Sequence, residues 1–137
     1  MAMARALRFP AAMRLSGSRE FGRVFAHRMT ASNGQIVVHA RPRDPALAVR
    51  PSLPPVRLGL SVSRRVGPAV VRNRWKRRIR EAFRLGQWRI PHGHDYVVVV
   101  RGREPPAAAE MAVMLESLCG QVVARRGYAA GREGRAR

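Results

Sequence analysis

The stretch from Arg64 to Arg84 places the strongest constraint on how this chain can fold, because it contains nine basic residues and one acid, Glu81. Its apolar residues recur at helical spacing and fall within one arc of about 120° on a helical wheel. The pattern predicts a helix from Pro68 to about Leu85, with Gly86 as its stop, that has one face in a core and a cationic remainder. The apolar arc consists of Val71, Trp75, Ile79, Ala82 and Phe83.

The cationic part of this helix requires a partner of opposite charge. A helix face that contacts only water usually carries acids among its basic residues, so that opposite charges pair at four-residue spacing. Here three basic residues, Lys76, Arg80 and Arg84, follow one another at that spacing instead. The whole chain has 27 Lys plus Arg against 8 Asp plus Glu, a formal net charge of +19 at pH 7. Nucleic acid is the expected partner, because phosphate contacts release condensed counterions; an anionic membrane is the weaker alternative. Nearly all the positive charge is carried by arginine, which suits RNA because a guanidinium can bind phosphate with two hydrogen bonds and stack on bases. A codon bias towards arginine would produce the same composition.

The elements around this helix predict one α+β domain, a two-layer α/β sandwich with the order α-β-β-α-β-α. Phe21, Val24 and Phe25 have helical spacing, with Ser18 as the expected N-cap. Residues 59, 61 and 63 are small, so one face of their strand should allow a close approach. The next strand is apolar at consecutive positions and should pair through a β-α-β crossover. The expected elements are a helix over about 18–28, strands over 35–41, 57–63 and 95–101, and a last helix from Pro105-Pro106 to Gly127.

The length of 137 residues suits a single domain. We expect an N-terminal tail over 1–13, the domain over 14–128 with a proline-rich loop over 42–55, and a basic tail over 129–137. The single cysteine, Cys119, cannot form an internal disulfide and is expected to be buried. Neither a signal peptide nor an apolar run long enough to span a bilayer is present, so a soluble cytoplasmic protein is expected.

The acidic residues and histidines do not predict a protein-based nuclease. Such an enzyme needs clustered carboxylates for two metal ions, or a histidine base with a positioned partner. Glu81 is the one acid within the predicted basic helix, and the four histidines do not have the spacing of metal ligands on one helix. We therefore expect neither a catalytic residue nor a metal or cofactor held by the protein.

The sequence RLGLSVSRRVGPAVVRNRWKRRIREAFR, from Arg57 to Arg84, resembles the signature region of the bacterial ribonuclease P protein family. The runs REFGRVF at 19–25 and DYVVVVR at 95–101 are similar to the first helix and last strand of that family. The resemblance implies a left-handed crossover, against the usual right-handed rule. It also implies the non-catalytic protein component of an endoribonuclease whose RNA subunit, with Mg²⁺, removes the 5′ leader of precursor tRNA.

The same resemblance implies two sets of binding residues. The first contacts the catalytic RNA: Arg64, Arg65, Arg72, Asn73, Arg74, Lys76, Arg77 and Arg80. The second contacts the precursor-tRNA leader: Phe21, Phe25, His39 and Ser63. A helix-terminal cap is the alternative role for Asn73, and ordinary core packing is the alternative for each phenylalanine.

Three other functions remain open from the sequence. Charge alone permits a basic RNA-binding structural protein, ribosomal or chaperone-like, without a nuclease role. A protein-only nuclease is disfavoured by the missing carboxylate cluster. A DNA-binding helix is disfavoured because no partner helix precedes the basic helix at helix-turn-helix spacing.

Overall fold

Four strands form one sheet, and three helices pack against it in the computed structural model, which describes residues 13–43 and 56–136. Of residues 125–136 only the backbone is described. A short 3₁₀ turn, Arg64–Val66, precedes the second helix. The elements are α1 Ser18–Ala26, β1 Met29–Ser32, β2 Ile36–Pro42, β3 Val56–Ser61, α2 Ala69–Gly86, β4 His94–Val100 and α3 Ala108–Ala136.

The strands lie in the order β1-β2-β4-β3. The first pair is a hairpin that turns at Asn33-Gly34, a dipeptide typical of turns. The Asn33 Oδ1 accepts hydrogen bonds from the backbone N–H groups of Gln35 and Ile36, both at 3.1 Å. β4 pairs antiparallel with β2 and parallel with β3. Because parallel neighbours need a long connection, α2 is the crossover between β3 and β4, as predicted, and its handedness stays a prediction.

Helices α2 and α3 cover one face of the sheet. The side chains of Trp75, Ile79 and Phe83 are fully buried in this core, and the Phe83 ring meets the Tyr96 ring edge-on with 6.4 Å between centroids. The indole Nε1 of Trp75 donates to the Arg103 carbonyl at 3.3 Å. The predicted apolar arc of α2 is thereby confirmed, although Val71, at its border, is half-buried.

Helix α1 lies on the opposite face, where Leu15, Val24 and Val97 form a smaller apolar cluster. It is also held by charge. The Arg57 guanidinium donates to both oxygens of the buried Asp95, at 2.9 and 2.8 Å, and to Glu20 of α1 at 3.3 Å. These carboxylates raise the pKa of Arg57. The contact fixes α1 to the edge of β3.

The buried Cys119 thiol has a pKa raised by its burial, which agrees with its predicted place in the core. Among the described residues, no helix is both long and apolar enough to span a membrane.

Several expected boundaries differ from the structure at the N-terminal side. Strand β1 was not expected, because four residues are too few for alternation to stand out. It forms because the hairpin brings it beside β2. Met13, assigned to the tail, is 4% exposed in the core, and Arg14 forms a parallel bridge with Leu58 of β3. The N-cap of α1 is Gly17, not Ser18, without a side-chain cap.

Other differences concern prolines and glycines. Pro42 is the last residue of β2, and the loop predicted after it falls largely on 44–55, outside the described residues. The prediction that Gly127 ends the last helix is wrong, since α3 continues to Ala136. A glycine costs about 1 kcal/mol relative to alanine inside a helix but keeps its N–H donor, so it need not end one.

The two tryptophans allow a matched test of the core. Trp75→Ala should lower the free energy of unfolding by about 3–5 kcal/mol, because it removes a fully buried ring and leaves a cavity. Trp88→Ala should change it by no more than about 0.5 kcal/mol, since the Trp88 side chain is 74% exposed. Urea unfolding measures both. Equal losses in the two variants would contradict the packing of α2 described above.

Candidate nucleic-acid interface

The outward surface of α2 gathers part of the predicted RNA-binding set. Asn73, Arg74 and Arg77, together with Val70 and Arg78, line a shallow depression of about 370 Å³. Asn73 is exposed and lies within the helix, and the N-cap is Pro68. The alternative in which Asn73 caps the helix is therefore wrong, and its amide is available to a ligand.

Arg64 and Arg65 precede this surface on the 3₁₀ turn, and both are exposed. The turn is held by a hydrogen bond from the Val66 N–H to the Ser63 carbonyl at 3.1 Å and by burial of the Val66 side chain. Gly67 then has φ 152°, a conformation that favours glycine. This backbone places both arginines directly before the first turn of α2.

Some cations of α2 have structural partners. Arg78 donates to the carbonyls of Pro105 and Pro106, at 2.9 and 2.7 Å, and so ties α2 to the segment before α3. Arg74 pairs with Glu104 at 3.2 Å in an exposed contact, which contributes little to stability. Arg84 pairs with Glu81.

The side of α2 turned away from Arg78 carries Arg72, Lys76 and Arg80, four residues apart and all half-buried. The Arg72 Nε is buried without a hydrogen-bond partner. Burial, and secondly the charge of Arg14, lowers the pKa of Arg80. Arg14 was not among the expected site residues, because the sequence places it where the predicted N-terminal tail meets the domain.

The three ring residues of the predicted leader set lie on the other face of the sheet, Phe21 and Phe25 on α1 and His39 on β2. The Phe25 ring contacts the His39 ring edge-on at 4.7 Å between centroids, and Phe21 lies 6.3 Å from Phe25. Phe25 is 37% exposed, whereas Phe21 packs into the small cluster around Val24. Phe25 is therefore the ring available for stacking, and Phe21 is mainly a packing residue.

Gly59 accounts for how closely α1 approaches the sheet. A Cβ atom at this position would stand 2.7 Å from the Phe21 ring, so the expected close approach to the small face of β3 occurs here. On the same face, burial and then the charge of Arg101 lower the pKa of His39, whose Nδ1 is buried without a partner. Arg101 was missed because it is far from His39 in the sequence and comes near it only through the pairing of β2 with β4.

The structure does not bring the two predicted sets together. α2 and the aromatic rings lie on opposite faces of the sheet, because alternate residues of β4 pack in the two different clusters. Ser63 of the leader set is the exception, because it is exposed, follows the end of β3 and directly precedes Arg64 in the chain. The predicted roles of both sets stay predictions.

The described carboxylates are largely engaged by arginines. Within residues 13–43 and 56–124, no group of three or more His, Cys, Asp or Glu side chains could hold a metal ion. The ion pairs are Glu20 and Asp95 with Arg57, Asp95 with Arg43, Glu81 with Arg84, Glu104 with Arg74 and Glu116 with Arg89.

Two glycines test how α1 is seated. Gly59→Ala should lower the free energy of unfolding by about 1–3 kcal/mol, because the added methyl overlaps the Phe21 ring. Gly22→Ala, inside α1 and with nothing within 4 Å of its Cβ position, should raise it by up to about 1 kcal/mol through helix propensity. Thermal or urea unfolding reports both. A neutral Gly59→Ala would show that α1 does not sit tightly on β3.

Comparison with known proteins agrees with the resemblance in the sequence. The family model described as Ribonuclease P matches residues 9–123. The ribonuclease P protein component of Geobacillus kaustophilus is 39% identical over 105 residues, covering 77% of this chain and 79% of that protein. The one from Caldanaerobacter subterraneus is 37% identical, with 77% and 82% covered.

Solved structures share the fold. The RNase P protein of Staphylococcus aureus superposes with a TM-score of 0.63 at 28% identity, covering 77% of this chain and 91% of that one. That of Thermotoga maritima gives 0.61 at 28% identity, with 77% and 96% covered. From the extent of the family match and the shared fold, the chain belongs to the ribonuclease P protein family.

Proposed function

We propose that this chain is the protein subunit of a ribonuclease P in which a catalytic RNA cleaves the 5′ leader from precursor tRNA. The observation that carries the proposal is the cationic surface of α2 and its preceding turn, which has far more arginines than acids to neutralise them. Membership of the family supplies the identity of the RNA. A cytoplasmic location stays a prediction.

In this proposal the protein acts by neutralising phosphate charge. Ribozyme and precursor tRNA are both polyanions, so cations held on a rigid helix lower the repulsion between them. Arg64 and Arg65 extend the cationic surface at the start of α2 and would contact the ribozyme with it. The leader would lie on the other face, where a base can stack on the exposed Phe25 ring beside His39.

The described carboxylates do not suit a magnesium site, because most are bound to arginine and magnesium needs oxygen ligands in a near-octahedral arrangement. The magnesium ions that the family's RNA enzyme needs are therefore assigned to the RNA in this proposal. The protein contributes binding and orientation.

Reconstitution tests the proposed function. Purified protein added to its ribonuclease P RNA at low magnesium should raise the rate of precursor-tRNA cleavage, since protein cations replace part of the charge screening by magnesium. Protein alone should give no cleavage. An absence of both stimulation and leader binding would exclude the proposal, and cleavage by RNA-free protein would favour a protein-based nuclease instead.

A basic structural RNA-binding protein is the second candidate, favoured by the charge alone. Co-purification separates the two: a ribosomal component would sediment with ribosomal particles, whereas a ribonuclease P subunit should co-purify with its own RNA.

Arg74→Ala tests the outward surface of α2. Loss of one phosphate contact should weaken binding of the ribonuclease P RNA and reduce the slope of log affinity against log salt by about 0.7–0.9. Stability should fall by at most about 1 kcal/mol, because the pair with Glu104 is exposed. Arg89→Ala, which removes another exposed arginine that is also paired with a carboxylate, Glu116, is the control. An unfolded Arg74→Ala protein would mean that Arg74 is structural.

A further inference from the structure

Trp88 lies just past the end of α2 and is the most exposed large apolar side chain in the described part of the chain. Leu85, three residues earlier, is exposed as well. A tryptophan that is packed buries about 150–250 Å², and most of that surface faces water here. The core uses the other tryptophan, Trp75, which is fully buried. Packing of the fold therefore does not account for a tryptophan at position 88.

The backbone that carries Trp88 is held in place by residues on its C-terminal side. The Ile90 side chain is buried in the core. The Tyr96 hydroxyl, on β4, donates to the Pro91 carbonyl at 2.7 Å. Because the segment is fixed to the sheet in this way, little further ordering of the chain is needed when a ligand contacts Trp88.

The indole ring itself has one aromatic neighbour. The His92 ring meets it in a T-shaped contact, with 5.9 Å between centroids and 61° between planes, and the His92 Nε2 donates to the Gln87 carbonyl at 3.2 Å. An edge contact of this kind orients a ring and covers little of it. The indole is thus oriented and still open to a second flat ring.

Trp88 continues the outward side of α2. Gln87 keeps helical backbone angles, and the Ile90 N–H donates to the Gly86 carbonyl at 3.2 Å, in the four-residue pattern of an α-helix. Eleven residues make about three helical turns, so Trp88 lies about 20° from Arg77 around the axis and about 16 Å further along it. Arg77 lines the cationic depression described above. Trp88 is therefore on the side of α2 that is proposed to face the ribonuclease P RNA.

The charged neighbours of Trp88 in the sequence favour a base over a phosphate as the ligand. Arg89 is paired with Glu116 at 2.9 Å, and Arg84 is paired with Glu81. Since both arginines already have a carboxylate partner, neither presents an uncompensated charge to a phosphate. An aromatic ring, by contrast, accepts the flat face of any nucleobase.

The net charge of the chain disfavours a second copy as the occupant. At a formal +19, two copies repel each other, and a contact through Trp88 would bring their α2 surfaces close together. RNA carries the opposite charge and has unpaired bases to offer. It is the occupant that both the charge and the ring favour.

We propose that Trp88 stacks on an unpaired base of the ribonuclease P RNA, beyond the phosphates that the cations of α2 would contact. The inference rests on the proposed function and adds to it a base contact made by an uncharged residue outside the helix. The predicted leader rings lie on the opposite face of the sheet, so the base is assigned to the ribonuclease P RNA and not to the leader.

Trp88→Ala is the direct test, with Val113→Ala as the control that removes another exposed apolar side chain, from α3. Trp88→Ala should weaken binding of the ribonuclease P RNA about 5- to 100-fold, as expected for the loss of one stacked base. The slope of log affinity against log salt should not change, because no charge is removed. Val113→Ala should change neither quantity. Equal affinities of the two variants would overturn the inference.

Two further substitutions separate stacking from general apolar contact. Trp88→Phe should keep most of the affinity, since phenylalanine retains an aromatic face. Trp88→Leu should lose as much affinity as Trp88→Ala, because leucine is apolar but has no such face. A Trp88→Leu protein that binds as tightly as the unmodified protein would show that the position makes an apolar contact without stacking.

Tryptophan fluorescence gives a second readout. The chain has two tryptophans, and Trp75 is buried. Added ribonuclease P RNA should quench the emission of the unmodified protein, and it should have little effect on Trp88→Phe, whose remaining tryptophan is Trp75. Equal quenching in both proteins would mean that no base stacks on Trp88.

Other occupants of this surface give different results. If Trp88 contacts a second copy, the RNA-free protein should dimerise in sedimentation equilibrium and Trp88→Ala should be monomeric, which would overturn the inference. If Trp88→Ala binds the ribonuclease P RNA normally and loses affinity for precursor tRNA, the assignment to the ribonuclease P RNA is wrong.

The proposed function and this inference fail in different ways. If the unmodified protein neither binds the RNA nor stimulates cleavage, the proposed function is wrong. If it does both, and Trp88→Ala binds the RNA as tightly as the unmodified protein, the stacking site alone is wrong.

Discussion

The burial of one face of α2 against the sheet is the contact on which the rest of the structure depends. Trp75, Ile79 and Phe83 follow one another at four-residue spacing and are fully buried, so the rotation of the helix about its axis is fixed. The cations between them must then point away from the core. Burying three large side chains contributes several kcal/mol, enough to hold a highly charged helix in place despite its own repulsion.

Most acids in the described part of the chain are paired with arginines. Asp95 and Glu20 hold Arg57 and thereby α1, and Glu104 lies against α2. With 8 acids against 27 basic residues, internal pairing leaves most of the positive charge uncompensated. The protein is therefore suited to a role in which a large polyanion completes its electrostatics, as a subunit of an RNA enzyme would require.

In the proposed function, the two faces of the sheet would divide this role. The α2 face carries point charges on a rigid support, and the α1 face carries an exposed aromatic ring beside a histidine. Phosphate contacts supply affinity and position, whereas stacking is tolerant of sequence. In the proposed function, such an arrangement would let the protein hold one particular RNA and bind leaders of different sequence.

The sequence by itself determined the two-faced helix, the turn at Asn33-Gly34, three of the four strands and the family, because each rests on local periodicity, turn chemistry or a long specific motif. It could not determine β1, whose four residues form a strand through pairing with β2. Nor could it show that Met13 enters the core, that Phe21 packs on Gly59 while Phe25 is exposed, or that Arg14 lies near Arg80. These facts depend on contacts between residues far apart in the chain, and only the tertiary structure decides which cations find an internal partner and which are left for RNA.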